Sequence, residues 1–353
     1  MFKIDSSYIG EGNKVFIIAE AGVNHNGDIN LAKKMVDKAK EAGVDAVKFQ
    51  TFKSEKLVTQ TAKMAEYQKN NIGKEESQFE MLKKLELSFD GFAELKSYCE
   101  EKGILFLSTP FDIESAIFLD SIGIEAFKIG SGDLTNIPLL DKVAKFNKPM
   151  ILSCGMSNMG EIEDAINVVK INGNNEIAML HCTSNYPAPI ESINLNAMKT
   201  IENAFKVIIG YSDHTEGITI PIAAAALGAK IIEKHFTLDK NMEGPDHKAS
   251  LDPEELKSMV EAIRKVELAM GNGIKECTTS EANTKEVARK SIVAGRNIKS
   301  GEILKEEDLD FKRPGNGLSP KLYKELIGKK VIKDIYKDEA INFGIMDFGE
   351  KRR

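Results

Sequence analysis

All five histidines of this 353-residue chain, His25, His181, His214, His235 and His247, stand at or just after short apolar or β-branched runs, where polar residues crowd. The segments are AEAGVNHNGD, LHCTSNYP, GYSDHT and IEKHFTLDKNMEGPDHKAS. Imidazole ligates Mn, Fe, Co or Zn, so His214 and His235 form a candidate metal pair, with two hydrogen-bonded rim histidines as the plainer alternative. No HExxH helix is present, and His25 or His181 fits equally well as a core residue bonded to backbone. Lys48 in AVKFQTF and Lys128 in AFKIGSGD interrupt apolar strands, where a charge is costly unless paired. They are either structural salt bridges or, with Thr109, Ser131, Ser153 and the glycines of GSG and SCG, an anion clamp suited to phosphate. Glu20, Asp133, Glu233 and Asp246 add carboxylates that orient these groups or support a metal from behind. The set suggests a phosphorylated anionic substrate and a metal-polarised electrophile. Neither a Walker loop nor a GxGxxG turn occurs.

Eight strand-like runs must position these residues. They begin at Val15, Ala46, Ile104, Ala126, Met150, Ile177, Val207 and Lys230, each bounded by Gly, Pro, Ser or charged residues. Helical patterns lie between them: 30–42, 89–102, 113–122, 137–146, 160–171, 194–204, 218–227 and 253–270. Strict alternation over about 250 residues predicts an α/β fold, a (β/α)8 TIM barrel, with chemistry at the C-terminal strand ends. The connection from Lys53 to Ser88 is too long for a plain barrel and carries a further helical pattern, SQFEMLKKLEL, so it reads as a lid or an interface. The expected division is a barrel over 1–272, a polar linker over 273–286 and a small, mostly β domain over 287–353.

Composition removes several classes. With 42% hydrophobic and 29% charged residues the chain is neither disordered nor fibrous, and its net charge of -6 argues against a general nucleic-acid binder. The charge is uneven, about +5 from Lys285 onward and about -11 before it. No apolar run reaches the roughly 18 residues of a membrane helix and the N-terminus lacks the form of a signal peptide, so a cytoplasmic protein is expected. The four cysteines form no CxxC pair, which disfavours a disulfide framework or structural zinc.

These motifs, taken in order with KFQTF, STPFD, FKIGSGD, GPDHKAS and KRPGNGLSP, closely resemble the bacterial sialic acid synthases, the N-acetylneuraminate synthases and their legionaminate and pseudaminate relatives. The resemblance implies a barrel joined to an antifreeze-like (SAF) domain, in a homodimer whose tail domain covers the partner's barrel mouth. It implies condensation of phosphoenolpyruvate with the open-chain aldehyde of an N-acetylmannosamine-type sugar, water attacking C2 and phosphate leaving by C–O cleavage. A divalent metal, manganese foremost with magnesium or cobalt as alternatives, would activate the aldehyde.

By motif position, the resemblance makes His214 and His235 the metal ligands and Lys48, Thr109, Lys128, Ser131 and Ser153 the phosphoenolpyruvate clamp. Gln50, Tyr186 and Asp246 match sugar contacts, Glu20 and Glu233 match acids near the metal and the attacking water, and Arg313 matches an arginine that reaches the N-acetyl group from the partner subunit. Asp133, a substrate-binding candidate, stands where some members have Glu, and the run Thr183, Ser184, Asn185 varies in which residue faces the phosphate, so Ser184 is a substrate-binding candidate and the phosphate contact is assigned to none of the three. N-acetylmannosamine is the favoured sugar and 2,4-diacetamido-2,4,6-trideoxymannose the alternative. Two other readings compete: a Schiff-base aldolase using Lys48 or Lys128 as the amine, and a non-catalytic carbohydrate- or ice-binding protein.

Overall fold

The structure, a computed structural model, describes residues 1–72 and 76–347. Residues 73–75 of the expected insertion and 348–353 of the expected tail domain lie outside the described residues. The chain divides into two units between Gly271 and Asn272.

In the first unit eight parallel strands are hydrogen-bonded in one sheet: β1 (Phe16–Gly22), β2 (Ala46–Thr51), β3 (Leu105–Pro110), β4 (Phe127–Ile129), β5 (Met150–Ser153), β6 (Ile177–Cys182), β7 (Ile208–Asp213) and β8 (Ile231–His235). Their order is β3-β2-β1-β8-β7-β6-β5-β4, and β3 and β4 also lie side by side, so the sheet curls into a nearly closed barrel. A parallel strand needs a crossover to its neighbour. Seven helices supply it, α1 (Ile29–Ala42), α2 (Phe89–Lys102), α3 (Ile113–Ser121), α4 (Ile137–Ala144), α5 (Met159–Ile171), α6 (Asn196–Phe205) and α7 (Thr219–Ala226), and α8 (Pro253–Met270) follows the last strand. Several starts carry the expected caps. Asp28, Ser88, Asp112 and Asn158 each accept a backbone N–H of the following turn, and Asp252 opens α8 with a capping box and Pro253.

Alternation along the strands explains the barrel's two faces. Ile17, Ala19, Val47, Phe49, Phe106, Phe127, Leu152, Met179, Ile209 and Ile232 turn outward into the main core beneath the helices. The alternate residues turn inward and form a second core of Phe16, Ile18, Ala46, Leu107, Ala126, Ile151, Ala178, Leu180 and Ile231. A short N-terminal hairpin, Phe2–Ile4 paired antiparallel with Ser7–Ile9, packs Phe2, Ile4 and Ile9 into that inner core. The hydrophobic pattern had not announced it. Gly210 on β7 has a packing reason: a Cβ there would stand 2.4 Å from Leu180 Cδ2 and 2.7 Å from the Ile231 carbonyl oxygen.

The long connection after β2 contains helices Ser54–Leu57, Glu66–Ile72 and Gln78–Leu85, the last with a capping box at Ser77 and Glu80. Met64, Met81, Leu82 and Leu85 pack with Val23 and Phe52 into a separate apolar cluster.

The second unit has its own small core, including Ile292, Ala294, Ile298, Leu304, Leu326, Val331, Ile335 and Ile341. Its described strands are short antiparallel pairs, Ser291–Ala294 with Leu309–Lys312 and Lys330–Val331 with Met346–Asp347. A helix, Ala282–Ala288, forms within the stretch read from sequence as mostly linker. Among the described residues no helix is long and apolar enough to cross a membrane.

Candidate active site

The inward face changes character along the strands. Past the apolar inner core, the same alternation brings Glu20 on β1, Lys48 and Gln50 on β2, Thr109 on β3, Lys128 on β4, Ser153 on β5, Cys182 on β6, Ser212 and His214 at β7, and Glu233 and His235 on β8 to one cavity of about 270 Å³. Tyr186, Ser131 and Asp246 reach it from the loops after β6, β4 and β8. Leu57, Val58, Met81, Leu82 and Leu85 of the insertion, with Phe111, form an apolar wall.

Two buried ammonium groups organise the polar side. Lys48 Nζ lies 2.6 Å from Glu20 Oε2 and donates to Thr109 Oγ1 at 3.1 Å. Lys128 Nζ donates to Ser153 Oγ at 2.7 Å and to the Ile129 carbonyl at 3.2 Å. Glu233 stands between them, its Oε2 3.9 Å from Lys48 and its Oε1 3.5 Å from Lys128, and Ser212 Oγ donates to Oε1 at 3.0 Å. Gln50 Nε2 donates to Glu20 Oε1 at 2.9 Å. Glu20 itself sits beside a β-bulge between Glu20 and Gly22, a device that re-aims a side chain.

These contacts set the charge states. Burial pushes the Lys48 ammonium toward deprotonation, but Glu20 and Glu233 together carry its pKa above the ordinary value. For Lys128 burial prevails over Glu233 and lowers it. Burial drives Glu20 up against the pull of Lys48, whereas for Glu233 the pull of Lys128 and Lys48 outweighs burial and holds the carboxyl low. Asp246 is raised to about 7 by burial, with Glu20 adding to the shift.

The two histidines face each other, with ring centroids 5.4 Å apart, and Tyr186 packs on His214 at 4.2 Å and on His235 at 5.4 Å. His214 Nδ1 is 2.7 Å from the Thr183 carbonyl, which only accepts, so Nδ1 carries the proton and Nε2 keeps its lone pair. His235 Nδ1 is buried without a hydrogen-bond partner, 3.9 Å from Asp246 Oδ2. Burial lowers His214 to about 4 and His235 well below its ordinary value, so both are neutral at pH 7. Two neutral imidazoles, one of them with a buried ring nitrogen that has no hydrogen-bond partner, are chemically suited to hold a divalent ion. Among the described residues no group of three or more His, Cys, Asp or Glu side chains is arranged to hold a metal.

Not every expected residue gathers here. Ser184 reaches the site through Ser131, their hydroxyls 2.8 Å apart. Asp133 lies off the cavity, its carboxylate accepting from Asn136 Nδ2 at 2.9 Å, because the 3-10 turn Ser131–Asp133 directs it back toward α4. His25 accepts the Gly27 N–H, His181 donates to the Ile193 carbonyl and His247 bonds Thr237 and Asn26, so these three hold loops. Arg313 belongs to the second unit, exposed after its strand Leu309–Lys312. Sequence reasoning missed Lys234 and Asp213, although a lysine inside IIEKHF is the signal that drew attention to Lys48 and Lys128.

The comparisons with known proteins bear on this geometry. A family model described as "NeuB family" matches residues 35–275, more than half of the chain. The chain belongs to the NeuB family. A second model, "SAF domain", matches residues 289–343 of this NeuB-family chain. It is 52% identical over 330 residues to the N,N'-diacetyllegionaminic acid synthase of Campylobacter jejuni, covering 93% of this chain and 99% of that one. To the protein of the same name from Legionella pneumophila it is 46% identical, covering 91% and 92%. A crystal structure of N-acetylneuraminic acid (sialic acid) synthetase from Leptospira borgpetersenii superposes with a TM-score of 0.71 at 37% identity, covering 80% of this chain and 94% of that chain. The NeuB-family chain is therefore an enzyme of the sialic-acid-synthase type.

Proposed function

We propose that this enzyme condenses phosphoenolpyruvate with the open-chain form of 2,4-diacetamido-2,4,6-trideoxymannose and water, giving N,N'-diacetyllegionaminate and phosphate. The sequence motifs are shared by synthases for both sugars, and N-acetylmannosamine was the first choice; the names of the relatives weigh toward the trideoxy sugar. The observation that carries the reaction class is the pair of buried lysines, Lys48 and Lys128, in the same cavity as two neutral imidazoles.

In this reading Lys48 and Lys128 bind the anionic phosphoenolpyruvate, aimed by Thr109, Ser153 and Glu233, while Ser131 and Ser184 offer hydroxyls to the phosphate. Positioning brings C3 of phosphoenolpyruvate against C1 of the aldehyde. The new C–C bond forms as the enol π electrons move to C1, whose oxygen takes a proton from water; the water oxygen adds to C2, and as the C2–O bond to phosphate breaks that oxygen becomes the C2 carbonyl and its remaining proton leaves with the phosphate. Glu20, raised by burial and held by Lys48 and Gln50, is placed to exchange a proton with that water. Gln50, Tyr186 and Asp246 contact the sugar. A divalent metal, manganese foremost with magnesium or cobalt as alternatives, would be held by His214 and His235 and would supply Lewis acidity to the aldehyde oxygen. A homodimer in the cytoplasm, in which Arg313 serves the partner's site, completes the proposal.

The test is phosphate release from phosphoenolpyruvate by chelator-stripped protein, with each of the two sugars, with and without manganese, and with the keto acid identified by mass. Metal-dependent release with the trideoxy sugar at a higher kcat/KM is expected. Release with N-acetylmannosamine alone would overturn the sugar assignment, and no release with either would overturn the reaction.

A further inference from the structure

We infer that a buried cluster behind the cavity wall, Lys234 with Asp213 and Thr215, is a positioning device that fixes the spacing of His214 and His235. The inference rests on the metal reading above. Asp213 and Lys234 are paired in register on β7 and β8, each preceding one of the two histidines. Because side chains alternate, Ser212 with His214, and Glu233 with His235, face the cavity, while Asp213 and Lys234 point to the opposite side. All three members of the cluster are fully buried there.

The cluster does two things to the backbone. The Asp213 carboxylate accepts the Thr215 backbone N–H at 3.2 Å and the Thr215 hydroxyl at 3.0 Å, closing a three-residue loop with His214 at its tip. Lys234 Nζ then donates across to Asp213 Oδ2 at 2.5 Å and to the Thr215 carbonyl. The His214 loop is thereby tied to the strand residue just before His235. From the other side the His214 ring is tied to the Thr183 carbonyl, and the His235 carbonyl accepts the Leu251 N–H at 2.8 Å.

The choice of a lysine here has no stability argument. Replacing a buried ion pair by apolar residues of similar volume is often neutral or stabilising, because desolvation offsets the Coulomb gain. What such a pair does well is hold one geometry, and groups behind a metal ligand act through ligand orientation.

The test uses full-length protein and Mn2+ itself. Lys234→Met with Asp213→Asn removes the cross-strand link while Asn still closes the 213–215 loop, and leaves no unpaired buried charge. The expected result is a thermal midpoint close to that of the parent protein, Mn2+ affinity weakened about 10–100-fold by the spectroscopic signal of free Mn2+, and unchanged phosphoenolpyruvate binding by calorimetry in chelator. Thr215→Val should weaken Mn2+ in the same direction, and Thr215→Ser, which keeps the hydroxyl, should restore it. These two variants decide the matter if the double variant does not fold. Variants that fold and bind Mn2+ as tightly as the parent would overturn the inference while leaving the metal reading intact. Failure of the unaltered protein to take up Mn2+ would overturn the metal reading and the inference together.

Discussion

Gly155, just after β5, is the position where one added methyl group tells most about the anion cradle. Its backbone is not in the left-handed region, so an alanine there meets no conformational penalty and acts only through contact. That contact is severe: a Cβ would stand 2.2 Å from Ser184 Oγ, 2.9 Å from Cys182 Sγ and 3.2 Å from Ser131 Cβ. An ordinary Cβ contact lies at 3.4 Å or more, so the Ser184 hydroxyl must retreat by about 1 Å, which breaks its 2.8 Å bond to Ser131. Overpacking of this kind costs about 1–3 kcal/mol, a fall in thermal midpoint of roughly 2–10 °C. If Ser131 and Ser184 meet the phosphate, Gly155→Ala raises KM for phosphoenolpyruvate about tenfold or more, the loss of one charge-assisted hydrogen bond, and leaves KM for the sugar nearly unchanged. Adding Ser184→Ala removes the worst clash and should recover part of the stability without recovering phosphoenolpyruvate affinity, a non-additivity that a double-mutant cycle reads directly. A Gly155→Ala protein with unchanged midpoint and unchanged KM for phosphoenolpyruvate would refute both the packing and the role given to the hydroxyl pair.

Other outcomes follow from the same contacts. Lys128→Met removes an ammonium bonded to Ser153, and kcat/KM should fall about 10–100-fold or more, read with phosphoenolpyruvate as the varied substrate. Borohydride added with pyruvate should leave both Lys48 and Lys128 unmodified by mass spectrometry, and an adduct on either would restore the aldolase reading. Manganese at a hundred times its Kd should raise stability by about 2.7 kcal/mol, seen as a higher midpoint that chelator reverses. His25 is held neutral by burial, its pKa lowered to about 4 from 6.5. Because the folded value lies below the unfolded one, this stability is complete above pH 6.5 and is lost as pH falls toward 4, about 3 kcal/mol in all. Because His214 and His235 are lowered as well, the share of His25 is read as the stability difference between the parent and His25→Asn in denaturant titrations, which should change by about 2 kcal/mol in favour of the variant from pH 7 to pH 5.

Much of this was legible in the sequence because barrels obey simple rules. A strand buried on both faces reads as a short apolar run, and a lysine inside such a run, as at Lys48 and Lys128, has little reason to be there except pairing or chemistry. Histidines at strand ends were equally visible, but residue type does not say which ring faces the cavity: His214 and His235 do, whereas His25, His181 and His247 turn to loops. The direction of Asp133 was not legible for a related reason, since a single 3-10 turn decides which way its carboxylate points. The N-terminal hairpin escaped notice because two three-residue strands carry too little periodicity. The tie between Asp213 and Lys234 depends on strand register, which no single segment contains.

The hairpin has a bearing on kinetics. Phe2, Ile4 and Ile9 join the inner apolar layer at the N-terminal end of the strands, so among the described residues that end of the barrel is packed and the polar cavity lies toward the other. In the proposed reaction, both substrates, the incoming water, the departing phosphate and the nine-carbon acid would all pass by the C-terminal ends of the strands. A molecule seated deeper blocks nothing above it, whereas one seated nearer the opening traps whatever lies beneath. If both substrates of the proposed reaction enter from that end, the ligand seated lower would have to arrive first, and product-inhibition kinetics would show ordered rather than random binding.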